Sequence, residues 1–449
     1  MIMKTVIRPE TEMKESGIKW VGLMPVNWKT VRIKNLPNQE ENSFVDGDWI
    51  ESSYITDSGI RYYTTGNIGD GKFKEQGNGY ISENTFNELK CKYAFPGDLV
   101  LSRLNEPYGR SCIIPETEPK CIVAVDNVIL RTHEDKRYIC YITQCDGYHA
   151  EVGELARGTA MKRVSRTNLG TIRIPLPAKI EQQAIADYLD ETCSKIDEII
   201  AEAKASIDEY KELKQSVIFE AVTKGLDKNV EMKDSGIEWI GRIPKHWSLV
   251  KSNRFITSTQ NGISRRDLEK STGNIVLKLR NITEIGEIDY SYTNRIELSN
   301  KEFENYILQI GDLLFVRVNG SKALVGKCAI FNGNNEPVAY NDHIIRVQIN
   351  KFCVGEYFKW YLLSQSGKTE IALHINTSAG QYTISGQGLK DIYVSLPPIH
   401  EQENIIMFLG NKCKQIDSLI AEKESLINDL EAYKKSLIYE VVTGKRRVV

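Results

Sequence analysis

The 449-residue sequence has no run of eighteen apolar residues, no Cys-x-x-Cys pair and only six histidines. The first absence speaks against a helix that crosses a membrane. The second excludes the common zinc spacings. Cys140 and Cys145 are the closest two of nine cysteines, and no histidine is spaced to complete a site with them, so no metal is expected. An odd number of unpaired cysteines fits small buried hydrophobes in a reducing compartment. The opening segment, MIMKTVIRPETEMKESG, lacks an apolar stretch and a small-residue cleavage site, so it does not read as a signal peptide, and a cytoplasmic location is expected. Net charge is nearly absent too, at −2, so there is no overall basic footprint.

What is present is a repeat. Residues 13–31 (MKESGIKWVGLMPVNWKTV) and 232–250 (MKDSGIEWIGRIPKHWSLV) are identical at ten of nineteen positions. Residues 172–223 and 392–443 are identical at twenty of fifty-two, with an offset of 220. The chain is therefore two copies of one unit. Between the matched ends the copies share only a skeleton. Phe95 to Arg103 (FPGDLVLSR) parallels Gln309 to Arg317 (QIGDLLFVR), and Ala124 to Arg131 parallels Ala339 to Arg346. One fold presenting two different surfaces is implied.

Short β-branched runs at 99–101, 122–130, 275–279, 313–318 and 344–349 read as strands, and 138–155 and 354–364 read as helices. Each variable region is mixed α/β. After Pro177 a long helix is expected over 181–223, with Leu189, Ile196, Ala203, Tyr210 and Val217 every seven residues and Ile199 and Leu213 on a second series. The second copy repeats this with Leu409, Ile416, Leu430 and Leu437, and with Leu419, Leu426 and Tyr433 as the second series; Lys423 interrupts it. A sustained heptad predicts a coiled coil. Gly225 and Gly444 stand where each helix should stop. The first helix would span about 65 Å, and the second must return antiparallel to pair with it. The rod would hold two domains a fixed distance apart.

The predicted fold is thus two copies of a mixed α/β domain, 1–177 and 226–397, joined by two long antiparallel coiled-coil helices, 178–225 and 398–449, with an internal pseudo-two-fold repeat. Charge is segregated accordingly. Residues 181–220 carry −7 and 401–443 carry −3, leaving about +8 elsewhere. Acidic rods with basic ends suit nucleic acid gripped at the ends; Glu-rich coiled-coil surfaces would give the same balance for blander reasons.

The duplicated K-x-S-G-I-x-W-x-G-x-x-P-x-x-W opening and the duplicated (I/V)-x-L-P-x-x-x-E-Q lead into a long helix resemble the specificity subunits of type I restriction–modification systems. The resemblance covers essentially the whole chain. It implies two target recognition domains, each reading half of a bipartite, asymmetric double-stranded DNA site. It also implies helices that set the unread spacer and dock two methyltransferase subunits, with restriction subunits recruited in turn. On that reading the chain is no enzyme and holds no cofactor: S-adenosylmethionine, ATP and Mg belong to the partners. No membrane partner is expected.

Candidate DNA contacts follow from residue type. In copy one, residues 155–178 hold Arg157, Lys162, Arg163, Arg166 and Arg173 and no acid. Arg157, Thr159, Lys162, Arg163 and Arg166 are the strongest candidates. The corresponding segment 378–385 is uncharged and offers Gln381 and Tyr382. Arg103, Asn105, Tyr108 and Arg110 follow one matched strand, and Arg317, Asn319 and Lys322 the other; Arg103 and Arg317, being matched, point more to backbone or structure. Arg265 and Arg266 add a basic loop specific to copy two. The paired Trp20/Trp239 and Trp28/Trp247 read as core anchors, and Glu181-Gln182 and Glu401-Gln402 as first-turn structural groups.

Catalytic lookalikes fail. Asn105-Glu-Pro-Tyr108 is one residue from the N-P-P-Y of amino-methyltransferases, but no glycine-rich cofactor loop accompanies it. Ser366-Gly-Lys-Thr369 ends like a P-loop, but Leu362 takes the place of the first glycine. Asp126 with Glu134 has no counterpart in copy two. Two rivals remain on sequence: an adenine methyltransferase carrying its own recognition domains, and a coiled-coil scaffold without a DNA role.

Overall fold

A computed structural model describes residues 5–77, 79–158, 161–265, 272–283, 285–378 and 380–448. The chain divides into two compact units: Met1–Lys204 with Ser425–Val449, and Ala205–Glu424. Each unit therefore takes part of both long helices.

The first unit contains a four-stranded antiparallel sheet ordered Phe44–Asp46, Asn127–Leu130, Leu99–Ser102 and Ser111–Ile113. Beside it lies a three-stranded sheet in which Ile60–Tyr63 pairs in parallel with Cys121–Val123. The second unit repeats the order. Ile256–Asn261, Ile344–Ile349, Leu313–Val316 and Cys328–Ile330 form the larger sheet, and Asn274–Leu277 pairs in parallel with Val338–Tyr340 in the smaller. The apolar strand Leu-Leu-Phe-Val explains why both faces must be covered. Leu313 and Phe315 feed one buried cluster and Leu314 and Val316 another, as the two-residue pleat requires.

Three sequence expectations are corrected. The run 122–130 is two strands in different sheets, turned by the Asn127 N–H donating to the Ala124 carbonyl at 2.9 Å. The run 313–318 breaks at Arg317, giving Leu313–Val316 and Val318–Asn319 in separate sheets. The helix over 138–155 is two, Lys136–Ile142 and Asp146–Glu154. Thr143 closes the first of them by donating to Cys140 O at 2.9 Å. Copy two has the same break, with Gly355–Leu363 and Gln365–Leu373 separated by Ser364, whose hydroxyl accepts from Gly367 N at 3.2 Å.

The opening and closing motifs turn out to be partners. Glu181 accepts the Trp28 indole N–H at 3.0 Å, and Glu401 accepts that of Trp247 at 2.9 Å. Gln182 and Gln402 are wholly buried; each amide donates to the carbonyl of the preceding Pro177 or Pro397 at 2.9 Å and accepts the N–H of Asp135 or Val354. Trp28 and Trp247 are core residues, whereas Trp20 and Trp239 are half-buried at its edge. All nine cysteines are buried and unpaired. Burial pushes the Cys112 and Cys121 thiols up to about 12, which keeps them protonated and inert.

The long helices are Lys179–Lys224 and Ile399–Val442. They end at Gly225 and Gly444, whose φ values of +78° and +75° are the left-handed conformation that glycine adopts without strain. Asp197 is ion-paired to Lys434 at 2.6 Å, and Lys214 to Asp417 at 2.7 Å. A step of seventeen residues forward along the first helix is a step of seventeen back along the second, so the helices run antiparallel. The first heptad series holds on both helices, but the second is displaced by one residue. Cys193, Ile200 and Ile207 are buried on the first helix and Cys413 and Ile427 on the second. Ile199, Leu213, Leu419, Leu426 and Tyr433 are instead 39–51% exposed. A seam alternates steps of four and three; here the step of four follows Leu189, Ile196, Leu409 and Ile416, and the residue before it falls on the flank.

The same carbonyl closes each core. In the second unit Val222 O accepts from Tyr357 Oη at 3.2 Å and Ser395 Oγ at 2.6 Å. In the first, Val442 O accepts from Tyr138 Oη at 3.1 Å, and Arg446–Val448 pairs antiparallel with Thr5–Ile7. Each helix thus finishes the core of the other copy's domain.

Among the described residues no helix is long and apolar enough to cross a membrane, and no cluster of His, Cys, Asp or Glu is placed to hold a metal ion.

Candidate nucleic-acid interface

In both units the central strand of the larger sheet runs into an arginine that clamps a hairpin. The Arg103 N–H donates to Asp126 O at 2.8 Å. Its guanidinium donates to Val164 O at 3.1 Å and Val125 O at 2.6 Å, and ion-pairs with Asp46 at 3.1 Å. Arg317 repeats this with His343 O at 2.8 Å and Asp342 O at 3.0 Å. The backbone then crosses to the hairpin in both copies. Val164 N donates to Arg103 O at 3.0 Å, and Ile384 N to Arg317 O at 2.9 Å. The matched arginines are therefore scaffold, and Arg103 is 9% exposed.

The two basic-versus-neutral segments singled out in the sequence are these hairpins. In copy one Arg163 bridges to Leu104 and to Arg157. In copy two Val318–Asn319 pairs with Gln381–Thr383, which pairs with Asn376–Ser378; the register places Asn319 opposite Tyr382. The first hairpin presents Arg157, Lys162 and Arg163, all exposed. Arg157 donates to Glu154 O and Ala156 O, and Arg163 lies 3.4 Å from Asp126. Arg103, Arg157 and Arg163 line one cleft of about 530 Å³ with Ser165 and Asn168. The second hairpin presents an exposed Gln381 and a half-buried Tyr382.

Two candidates are displaced. Arg110 is buried, donating to the carbonyls of Ile68, Leu104, Asn105, Pro107 and Thr65 at 2.7–3.3 Å. Desolvation lowers its pKa. It shapes the loop after the strand and has no free face for DNA. Tyr108 is buried as well, for the same reason: the loop folds back onto the helix Asp146–Glu154, and Tyr148 Oη donates to Gly109 O at 3.2 Å. Asn105 stays exposed at the tip, with φ +63°. Arg166 reaches Phe44 O at 3.2 Å and Asp46 at 3.5 Å, which partly occupies it. Arg265 is half-buried and donates to Glu297 O at 3.2 Å, with Glu302 at 3.5 Å. Asn319 accepts Ser321 N at 2.9 Å, and Lys322 is exposed. Thr159 and Arg266 lie outside the described residues.

Sequence reasoning missed the counter-charges. Asp46 balances Arg103 and Arg166 from a strand far away in sequence, and no local pattern marks it. Asp126, weighed and dismissed as a nuclease ligand, pairs with Arg163. The lookalike Ser366-Gly-Lys-Thr369 lies inside the helix Gln365–Leu373, with the Ser366 hydroxyl donating to Trp239 O at 2.6 Å.

Against known proteins, residues 25–209 and 247–431 each match the type I restriction modification DNA specificity domain. The chain is 24% identical to the EcoKI specificity subunit of Escherichia coli strain K12, over 92% of this chain and 88% of that protein. It is 22% identical to the StySPI specificity subunit of Salmonella potsdam, over 94% and 88%. Among solved structures, a chain of a type I R-M system studied for complex assembly and conformational transition superposes with a TM-score of 0.72 at 13% identity, covering 94% of this chain and 99% of that one. The HsdS subunit of Thermoanaerobacter tengcongensis gives 0.54, also at 13% identity, covering 94% and 98%. With two matched domains spanning most of its length, the chain belongs to the type I restriction–modification specificity subunits.

Proposed function

We propose that each α/β domain reads one half of a bipartite, asymmetric double-stranded DNA site through its clamped hairpin, and that the chain itself catalyses nothing. The long helices set the unread spacer and dock two methyltransferase subunits, which recruit restriction subunits. Adenine methylation with S-adenosylmethionine, and ATP- and Mg-dependent steps, then belong to those partners. One observation carries this reading. Two hairpins held by the same arginine clamp differ completely in chemistry, cationic in one copy and neutral in the other. Arginine and lysine suit phosphates and guanine edges, while glutamine suits adenine.

The displaced heptad series supports docking on the helices. Ile199, Leu213, Leu419, Leu426 and Tyr433 keep the seven-residue apolar period without being buried, which a partner's surface would explain. Leu426→Glu should leave the melting temperature within about 1 °C of wild type and abolish co-purification of the methyltransferase subunit. Retained co-purification would remove this face from the docking surface.

The decisive experiment co-expresses the chain with its methyltransferase partner and maps modified adenines genome-wide. A two-part motif with a fixed gap is expected. Replacing residues 157–163 should change one half of it and leave the other half and the gap intact. A change in both halves, or in neither, would overturn the assignment.

A further inference from the structure

The duplication lets a cavity in one copy be compared with the same place in the other. Gly109 and Gly326 are equivalent, since each N–H donates at 2.8 Å to the matched strand, to Ser102 O and Val316 O. Tyr108 therefore corresponds to Val325. The paired helices align without a gap from the buried tyrosines Tyr138 and Tyr357, so Cys140, Tyr148 and His149 correspond to Lys359, Gly367 and Lys368.

In copy one this space is full. Tyr108 is buried there, and His149 spans Tyr108 O at 3.1 Å and Asp70 at 3.3 Å. In copy two Val325 stands in place of Tyr108 and lines a cavity of about 600 Å³. Its walls are apolar, formed by Val325, Leu362, Ile371 and Ile375 among others. Lys322, Lys327, Lys359 and Lys368 also line it, and none of the lining residues is acidic. Lys368 donates to Gln215 Oε1 at 2.7 Å, and Lys359 has Glu356 on its own helix at 3.7 Å.

We propose that this cavity binds a small anionic amphiphile, with an apolar or aromatic body and one carboxylate, sulfonate or phosphate group. The volume falls within the range of small-molecule sites, about 300–1,000 Å³, and an apolar body would cover the wall at Val325 that copy one covers with Tyr108. Lys322 and Lys368 line this space with no carboxylate at ion-pair distance among the described residues, and an anion would compensate their charge at short range. Desolvation already lowers the Lys368 pKa, consistent with a cation held short of solvent. The cavity borders the second hairpin at Ile375, and its occupancy does not depend on what that hairpin reads.

The test is fluorescence titration of the full chain with 8-anilinonaphthalene-1-sulfonate and with its uncharged analogue N-phenyl-1-naphthylamine. One saturable site for the sulfonate is expected. Val325→Tyr, which copies Tyr108, should abolish it. The double substitution Lys359→Gln, Lys368→Gln should weaken sulfonate binding about tenfold while leaving the neutral analogue unchanged, and that retained binding reports an intact fold. The proposal is overturned by the absence of saturable binding, or by a folded Val325→Tyr protein that binds as wild type does. It is equally overturned if the lysine variant keeps the wild-type preference for the sulfonate, which decides the matter even where Val325→Tyr fails to fold.

Discussion

The two hairpins share a frame and share almost no chemistry. Arg103 and Arg317 occupy the same place and share one carbonyl position, Val125 O and Asp342 O, yet the hairpin above the first carries three exposed cations and the hairpin above the second carries none among Asn376–Ser378 and Gln381–Thr383. The duplication therefore separates what the fold requires from what is free to vary. The arginine at the head of each hairpin, which bonds backbone, recurs in both copies; the side chains the hairpins turn outward do not. On the proposed function, specificity would sit on side chains the core does not constrain.

The clamps themselves are unequal, and breaking them should give the largest effect. Arg103 satisfies two carbonyls and pairs with Asp46, whereas Arg317 donates to Asp342 O from a half-buried position. Arg103→Ala should cost about 3 kcal/mol and Arg317→Ala about 1 kcal/mol, because the first leaves two carbonyl acceptors unpaired and takes from Asp46 the nearer of its two arginine partners. Denaturant melts read the difference. Faster hydrogen exchange confined to the 157–163 hairpin should accompany the first substitution. Equal costs would mean that the Asp46 pair contributes nothing.

A smaller effect separates the reading modes. Removing Arg157 and Arg163 should lower the salt slope of DNA binding by the assembled complex by about 2, near 0.9 for each phosphate no longer neutralised. Gln381→Ala should leave that slope unchanged while relaxing preference at one position by about 1–3 kcal/mol. Titrations across NaCl concentrations on matched and mismatched sites distinguish the two. A salt slope that moves with Gln381 would place the neutral hairpin on the backbone rather than on bases.

The repeat, the order of elements and the helix stops were legible because each rests on local chemistry. Identical Trp, Pro and Gly positions recur, and a glycine is needed where φ turns positive. The second heptad series was not legible, since residues three and four positions on are both apolar at 199/200 and 419/420 and only the partner helix decides which one faces it. Arg110 illustrates the harder limit. An arginine in a polar loop looks like a DNA ligand, and nothing nearby in sequence announces the five carbonyls that converge on it, two of them from residues 65 and 68. Tyr108 fails in the same way, through a contact with a helix some forty residues on.

The smallest expected effect tests the symmetry of the helix pair. The acid of the bridge lies on the first helix at Asp197 and on the second at Asp417. Partial burial pushes the Asp197 carboxyl up, but hydrogen bonds from Lys434 and Lys72 outweigh this and hold it below the ordinary 3.8. A carboxylate lowered in the folded state adds stability that is fully present above its unfolded value and disappears as pH falls through the folded one. Stability should thus fall as pH drops below about 4, by no more than about 1 kcal/mol, because the pair is partly exposed and screened. Asp197→Asn should remove that component and leave the rest of the acid limb intact. If Asp197→Asn and wild type melt in parallel from pH 6 to pH 3, the Lys434–Asp197 bridge fixes the register of the helices without stabilising them.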